Sequence, residues 1–236
     1  MSRSIRPRRE ADRPLYRWAP WGAAAIVFAG FARTFYLKQA FGAPPLSDLL
    51  ILHGLLMTSW FVSFIVQTRL VAAGRIDLHR RMGMGGALLA LAILIVGPTV
   101  AITAAKLGHT PGPPPLVFLV VPLGDMLVFA LLVGAALLFR RRSDVHKRLM
   151  LLSFVGLLTA AIARVPVEAW HRAGIVAYFS TTILLVLGCL AYDTVKHRRL
   201  HPAFAWGAGL IILSWPLRLA LTTTAAWMKF ATWLTG

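Results

Sequence analysis

The sequence predicts an all-α integral membrane bundle of about seven transmembrane helices with a cytoplasmic N-terminus. Three observations carry this prediction: the composition is very apolar, long apolar segments recur, and positive charge collects in alternate connections. Hydrophobic residues make up 58% of the 236 residues, and the mean hydropathy is +0.71. A soluble protein of this size could not keep so much apolar surface out of water, so the bilayer must be the solvent for most of the chain.

Apolar segments define the predicted spans. Each is long enough, or nearly so, to cross about 30 Å of hydrocarbon, and the fifth is the shortest. Lipid offers no partner for free backbone groups, and the segments are too long for barrel strands, so each must be helical. Proline-rich connections such as 42–48 and 109–115 separate the helices. The predicted spans are 18–37, 47–71, 82–105, 115–139, 148–165, 174–194 and 203–226.

The distribution of positive charge predicts the orientation. The chain carries 25 Lys and Arg against 8 Asp and Glu, a formal net charge of +17. With the N-terminus inside, most of the Lys and Arg fall on the inner side, in clusters at 3–17, 69–81, 140–148 and 196–199. Cytoplasmic loops carry such an excess, so we expect a bacterial inner-membrane location. The same placement favours anionic lipid over nucleic acid as the partner of these cations.

The chain divides into a basic arm, residues 1–17, and a membrane domain, residues 18–236. The arm shows no small-residue cleavage site after a short apolar core, so we expect an uncleaved cytoplasmic arm rather than a signal peptide. Cys189, the single cysteine, excludes an intrachain disulfide and a CxxC metal site. We expect it to be an inert packing residue.

Four histidines lie near the predicted inner ends of the spans. His79 and His146 belong to similar Asp-x-His-basic-basic segments, and His197 and His201 follow later. The favoured interpretation is mechanical: Asp77 and Asp144 cap helix N-termini while the neighbouring cations reach headgroups. The alternative is that the four imidazoles meet and bind a metal or haem, although their spacing matches no known ligand motif.

Ionisable residues inside the spans indicate a candidate ligand-binding site. His53, Asp125, Arg164 and Arg218 all fall at mid-membrane or in the outer half of predicted helices. Charged groups are costly in hydrocarbon and usually face a bundle interior or a cavity. We therefore expect Asp125 to be buried and paired with an arginine, Arg218 or Arg164.

Two interpretations of these four residues remain open. They form either a salt-bridge network that fixes helix register or a pocket that opens toward the outer side. Because arginine outnumbers carboxylate, a pocket would favour an anionic ligand. A haem is compatible, with His53 as axial ligand, but no second intramembrane histidine is found, and the cofactor identity stays open. Asp125 could instead relay protons.

Three functional hypotheses follow from the sequence. The first is a binding or redox-accessory protein that holds haem or another anionic ligand in the outer-half pocket. The second is a small carrier of protons or an organic acid, and the third is a non-catalytic accessory subunit of a larger membrane complex. GxSxG, HExxH, P-loop and DxxD motifs are absent, which favours a non-enzymatic role without catalytic residues.

Three short segments carry a resemblance to other proteins. They are FGAPPL at 41–46, an HG-x5-W pattern from His53 to Trp60, and an LHRR-x-G pattern from Leu78 to Gly83. With these segments the chain resembles a group of small multi-pass bacterial membrane proteins that have no assigned activity. The resemblance implies a membrane-spanning fold. It implies no activity and no residue roles.

Overall fold

The computed structural model describes residues 13–236, and every regular element in that range is a helix. Residues 1–12 of the predicted arm lie outside the described range, whereas residues 13–17 belong to the first helix. A π-helical turn, Ala32–Tyr36, extends that first helix. The helices are α1 (Arg13–Phe31), α2 (Asp48–Ala72), α3 (Ile76–Lys106), α4 (Pro115–Phe118), α5 (Val120–Leu138), α6 (Ser143–Gly156), α7 (Thr159–Ile162), α8 (Glu168–His197), α9 (Pro202–Thr222) and α10 (Ala225–Thr235).

Within the described residues, six helical segments are long and apolar enough to cross a membrane. This confirms the predicted all-α fold and the presence of helices that could span a membrane, six of them rather than seven. The remaining predicted span, 18–37, corresponds to α1, which is not among the six. Its 19 residues include Arg17 and Pro20, and these make it less apolar than the others. The six segments are Asp48–Ala72, Ile76–Lys106, Pro115–Leu138, Ser143–Ile162, Trp170–His197 and Pro202–Thr222.

The α6–α7 segment, Ser143–Ile162, is the central helix of the bundle. Of its apolar window, 72% is buried inside the protein, against 17–39% in the other five segments. The corresponding predicted span, 148–165, is the shortest in the sequence. Protein rather than lipid surrounds this helix, so it does not need a long lipid-facing apolar surface.

Aromatic rings join α2, α5 and α6 in the core. The Phe154 ring stacks on Phe64 with centroids 3.9 Å apart and on Trp60 at 4.6 Å. Trp60 also meets Phe129 edge to face at 5.1 Å. Large rings bury much apolar surface, and the edge-to-face pair adds to that stabilisation, so this cluster fixes the relative positions of the three helices.

The helices that contain the two Asp-x-His segments begin slightly earlier than the sequence predicts. Asp77 and Asp144 lie within the first turns of α3 and α6, while Arg75 and Arg142 occupy the cap positions without side-chain cap bonds. A carboxylate in the first turn still interacts favourably with the helix dipole. The capping role predicted for the two aspartates is therefore wrong, although the electrostatic part of the argument stands.

The bundle has two chemically different ends. The connections 73–75, 139–142 and 198–201 lie at one end, which we call the basic end because six of their residues are arginines. There His146 on α6 contacts the Ala136 carbonyl oxygen on α5, and Asp144 on α6 contacts His201 at the start of α9. At the opposite end, α8 breaks at Gly174, whose φ of 64° suits glycine. α10 begins after a Thr224 cap and is anchored by a Trp227 Nε1 bond to Leu116 O.

Candidate functional site

A buried ion pair links α5 to α9. Arg218 Nη1 donates to Asp125 Oδ1 at 2.7 Å, and the two side chains are 6% and 16% exposed. The same nitrogen donates to the carbonyl oxygen of Val121 at 3.2 Å. The predicted pairing of Asp125 with an arginine is thus confirmed, and Arg218 is the partner.

Two neighbours hold the Arg218 guanidinium in place. Its central carbon lies 4.2 Å from the centroid of the Trp215 ring, so a cation–π contact supports one face. Gly124 lies against the other side: a Cβ there would come within 2.3 Å of Arg218 Nε. The glycine therefore provides the space into which the arginine reaches, next to the aspartate that receives it.

A small polar cavity adjoins the ion pair. Asp125 and Arg218 line it together with Ser153 and Ser214, and the remaining walls are apolar. The volume open to the centre of a water molecule is about 10 Å³, which is room for about one water. Each serine hydroxyl donates to a backbone carbonyl of its own helix at 2.7 Å and keeps lone pairs for accepting.

Arg218 Nε also contributes to the polarity of this region. It is buried, and none of the residues described accepts a hydrogen bond from it. A buried guanidinium N–H without an acceptor is costly. A water in the adjoining cavity would have the carboxylate, the serine hydroxyls and the arginine as candidate partners, which is the number that a buried water usually finds.

His53 and Arg164 are not on this cavity. His53 is half-buried on α2, and Arg164 follows α7, where it is exposed and donates to the carbonyl oxygen of Ala160 at 2.8 Å. The Arg164 guanidinium lies over the Phe31 ring, 5.0 Å from its centroid. Of the four predicted site residues, the structure thus brings Asp125 and Arg218 into contact and leaves His53 and Arg164 outside the cavity.

A second buried ion pair lies toward the basic end. Arg148 on α6 binds Asp193 on α8 through two nitrogens, with Nη2–Oδ1 at 2.7 Å and Nε–Oδ2 at 2.9 Å. The side chains are 4% and 1% exposed. Arg148 Nη1 also donates to the Asp144 carbonyl oxygen at 2.8 Å. The Nε–Oδ2 contact is a charge-assisted hydrogen bond, and the short Nη2–Oδ1 distance adds ion-pair attraction.

Two histidines complete a polar group around this ion pair. His197 Nδ1 lies 2.8 Å from the Asp193 carbonyl oxygen and 3.5 Å from Asp193 Oδ1. His201 Nε2 lies 3.1 Å from Asp144 Oδ2, and His201 Nδ1 accepts from the backbone N–H of Ala203 at 3.2 Å. We call Asp144, Arg148, Asp193, His197 and His201 the basic-end cluster.

The other two histidines form a separate pair beside the cluster. The His79 and His146 rings meet edge to face with centroids 6.4 Å apart. His146 Nδ1 is 2.8 Å from the Ala136 carbonyl oxygen. In the amide orientation that satisfies its hydrogen bonds, the Gln67 side-chain nitrogen donates to His79 Nδ1. Among residues 13–236, no group of three or more His, Cys, Asp or Glu side chains could hold a metal ion. The metal alternative for the four histidines is not supported there.

Sequence reasoning missed the Arg148–Asp193 pair. Arg148 was counted among the solvated cations that define the inner side, and Asp193 lies one residue before the end of the predicted span 174–194. The available signal was an acidic residue inside an apolar segment, the same signal that identified Asp125. The same reasoning applied to Asp193 predicts a buried cation on another helix as its partner.

Comparison with known protein families, curated proteins and solved structures found no match for this chain. The resemblance to small multi-pass bacterial membrane proteins therefore stays a prediction.

Proposed function

We propose that the protein is a small proton-linked carrier of organic acids in a bacterial inner membrane, with Asp125 and Arg218 as its central site. The observation that carries this proposal is the buried Asp125–Arg218 pair beside a polar, water-sized cavity. Ionisable side chains at this depth are expensive, and in membrane proteins they usually mark substrate pathways or proton relays.

The chemistry of the pair supports coupling between a proton and a carboxylate. When Asp125 is ionised, it neutralises Arg218. When Asp125 binds a proton, Arg218 loses its anionic partner and is available for the carboxylate of a substrate. The site then changes from one neutral state, an ion pair, to another, a protonated aspartate with a bound organic anion. Neither state leaves a net charge in the membrane, so both avoid the largest cost.

The size of the cavity favours a carrier over a haem protein. The cavity has room for about one water, which could carry a proton to Asp125. A haem or a large anion would fit only if the helices around Asp125 separated. His53, the axial ligand in the haem hypothesis, lies outside the cavity lining. A carrier in its closed state needs no larger space, because the substrate enters when the bundle opens on one side.

We further propose seven spans and a cytoplasmic N-terminus. α1 and the π-helical turn comprise 19 and 5 residues, or roughly 36 Å of helix, which exceeds the hydrocarbon thickness. The basic end then faces the cytoplasm, as the excess of Arg in its connections requires. In this arrangement the cations meet anionic headgroups, and the lipid bilayer is the principal partner.

Proton flux in proteoliposomes tests the carrier proposal. The purified protein is reconstituted with an internal pH-sensitive dye, and small monocarboxylic and dicarboxylic acids are added outside, with equal potassium on both sides and valinomycin to hold the membrane potential near zero. We expect substrate-dependent internal acidification by the wild type. Asp125→Asn should lose at least 90% of this rate, a tenfold decrease that corresponds to about 1.4 kcal/mol in activation free energy. Asp125→Glu should keep part of the rate. Asp48→Asn is the matched control, because Asp48 is an exposed carboxylate at the start of α2.

Two results would count against the carrier. Flux no faster than in protein-free liposomes for every acid tested would exclude it and favour the accessory-subunit hypothesis. Equal loss of flux in Asp125→Asn and Asp48→Asn would show that the effect is not specific to the ion pair. Size-exclusion profiles and thermal unfolding of each variant separate loss of transport from loss of fold.

A further inference from the structure

His201 occupies an unusual place at the basic end. It is the N-cap residue of α9, and its side chain rather than a serine or aspartate accepts the backbone N–H of Ala203. The residue is buried, at 7% relative exposure. Its other ring nitrogen reaches the carboxylate of Asp144, whose side chain is 53% exposed. The imidazole thus lies between a helix N-terminus and a carboxylate that faces water.

The two contacts determine where the ring carries its hydrogen. A backbone N–H can only donate, so Nδ1 must accept and carries no hydrogen in this state. A carboxylate accepts, so Nε2 carries the hydrogen and donates to Asp144. The one position at which His201 can bind a further proton is therefore Nδ1, the atom that caps α9.

We propose that His201 is a second proton-binding site, at the end of the bundle away from the Asp125–Arg218 pair, and that its protonation releases the first turn of α9. A proton from water would form a bond to Nδ1, which then becomes a donor facing the N–H of Ala203. The cap bond is lost, while the contact between Nε2–H and Asp144 becomes an ion pair. The proposal rests on the proposed function, since a carrier must exchange protons at both ends.

Two charges act in opposite directions on a proton bound to His201: the Asp144 carboxylate favours it, whereas the positive N-terminal end of the α9 dipole opposes it and favours release of the first turn. On α6, Asp144 is the direct partner, and Lys147 lies over the Tyr16 ring at 5.3 Å. The positive charge of Arg148 is neutralised by Asp193 on α8. The other cations in the adjoining connections are exposed, so solvent and salt weaken their effect on His201. They are Arg140, Arg141, Arg142, Arg198 and Arg199.

α9 gives this site a route to Arg218. The helix begins directly after His201 and runs to Thr222, with Pro216 inside it near its end. Arg218 follows His201 by 17 positions, or roughly 25 Å along the axis. A displaced first turn would shift the helix that holds Arg218 against Asp125. Because packed helices move as rigid elements, proton binding at one end can act on the other.

Nuclear magnetic resonance of the histidine ring nitrogens tests the site directly. The full-length protein, labelled with nitrogen-15 in histidine and alanine, is titrated in detergent micelles from roughly pH 8 to 5, the range of an ordinary imidazole. We expect His201 to show an unprotonated Nδ1 at the alkaline end and to gain a proton there on acidification. The amide signal of Ala203 should shift in the same titration.

Two substitutions separate proton binding from capping. In His201→Asn, the side chain keeps a capping oxygen but cannot titrate, so the Ala203 amide should become independent of pH. His201→Ala removes both properties and should shift that amide at every pH. His109→Asn is the matched control, because His109 is exposed in the connection at the opposite end and should leave the Ala203 titration unchanged.

The outcome distinguishes this site from the proposed transport. If His201 keeps an unprotonated Nδ1 over the whole titration, or if Ala203 titrates equally in His201→Asn, the second site is excluded even where the wild type carries protons. If His201 titrates as expected but the liposomes show no flux, the site stands and the carrier is excluded. In a working carrier, His201→Asn should slow proton uptake from the basic end at least threefold, with the Asp125–Arg218 pair intact.

Discussion

Replacing Asp125 by alanine should destabilise the protein strongly, because it leaves the Arg218 guanidinium buried without a counter-ion. Removing one partner of a buried ion pair typically costs about 3–5 kcal/mol. Arg218 would keep its bond to Val121 and its contact with Trp215, and the cavity beside it admits a water. We therefore expect a loss at the lower end of that range, about 3 kcal/mol.

The double substitution provides the internal check. Arg218→Met removes the cation and fills part of its volume with an apolar chain. Combined with Asp125→Ala, it leaves no unpaired charge, so the double variant should be more stable than the sum of the single effects predicts. We expect a coupling of about 2–3 kcal/mol between the two positions.

The assay is reversible unfolding in mixed micelles, followed by tryptophan fluorescence. Asp48→Ala is the control, because this exposed carboxylate should change the free energy of unfolding by no more than about 0.5 kcal/mol. If Asp125→Ala is as stable as Asp48→Ala, the carboxylate is hydrated through the cavity and the pair contributes little. Additive single effects would also refute the argument, since partners in a buried pair must be coupled.

Three further predictions concern packing, topology and cofactor. Gly124→Ala should lower the free energy of unfolding by about 1–3 kcal/mol, because the new methyl group meets the buried Arg218 guanidinium. Gly134→Ala on the same helix meets open space and should be neutral or stabilising. Chemical denaturation compares the two variants. In a Cys189→Ser background, cysteine at position 141 should be labelled from the cytoplasm and at position 109 from the outside, and the reverse pattern would invert the proposed orientation. The purified protein should show no Soret band, and a band that persists through purification would restore the haem hypothesis.

The sequence predicted the helices well because a single physical requirement determines them. Length and hydropathy identify any segment that must replace water by lipid, and all six span-like helices overlap predicted spans. The boundaries moved where polar residues join a helix: α6 begins at Ser143, five positions before the predicted start, because the polar turn around Asp144 and Lys147 is also helical. Hydropathy underrates such turns, since their charges are satisfied by other helices.

The candidate site was predicted only in part because pairing depends on which helix faces meet. Depth along a helix can be read from the sequence, and it placed Asp125 and Arg218 near the same level. Depth alone did not separate Arg218 from Arg164 as the partner, and that choice follows from the contact of α5 with α9. The Arg148–Asp193 pair joins residues 45 positions apart, and the sequence contains no rule that aligns α6 with α8.

The arrangement of the charged pairs explains why α6, α8 and α9 are the helices to follow in the proposed carrier. Arg148 and Ser153 lie on α6 about 8 Å apart along the axis, so the central helix touches both the basic-end cluster and the cavity. α9 carries His201 at one end and Arg218 near the other. Opening the basic end requires that α6 separate from α8 and α9, which the Arg148–Asp193 and Asp144–His201 contacts oppose. Opening the other end requires that α9 separate from α5, which the Asp125–Arg218 pair opposes. A proton on Asp125 would weaken the contact that closes one end, and a proton on His201 would release the first turn of α9 at the other. Alternating access would follow from protonating these two sites one at a time.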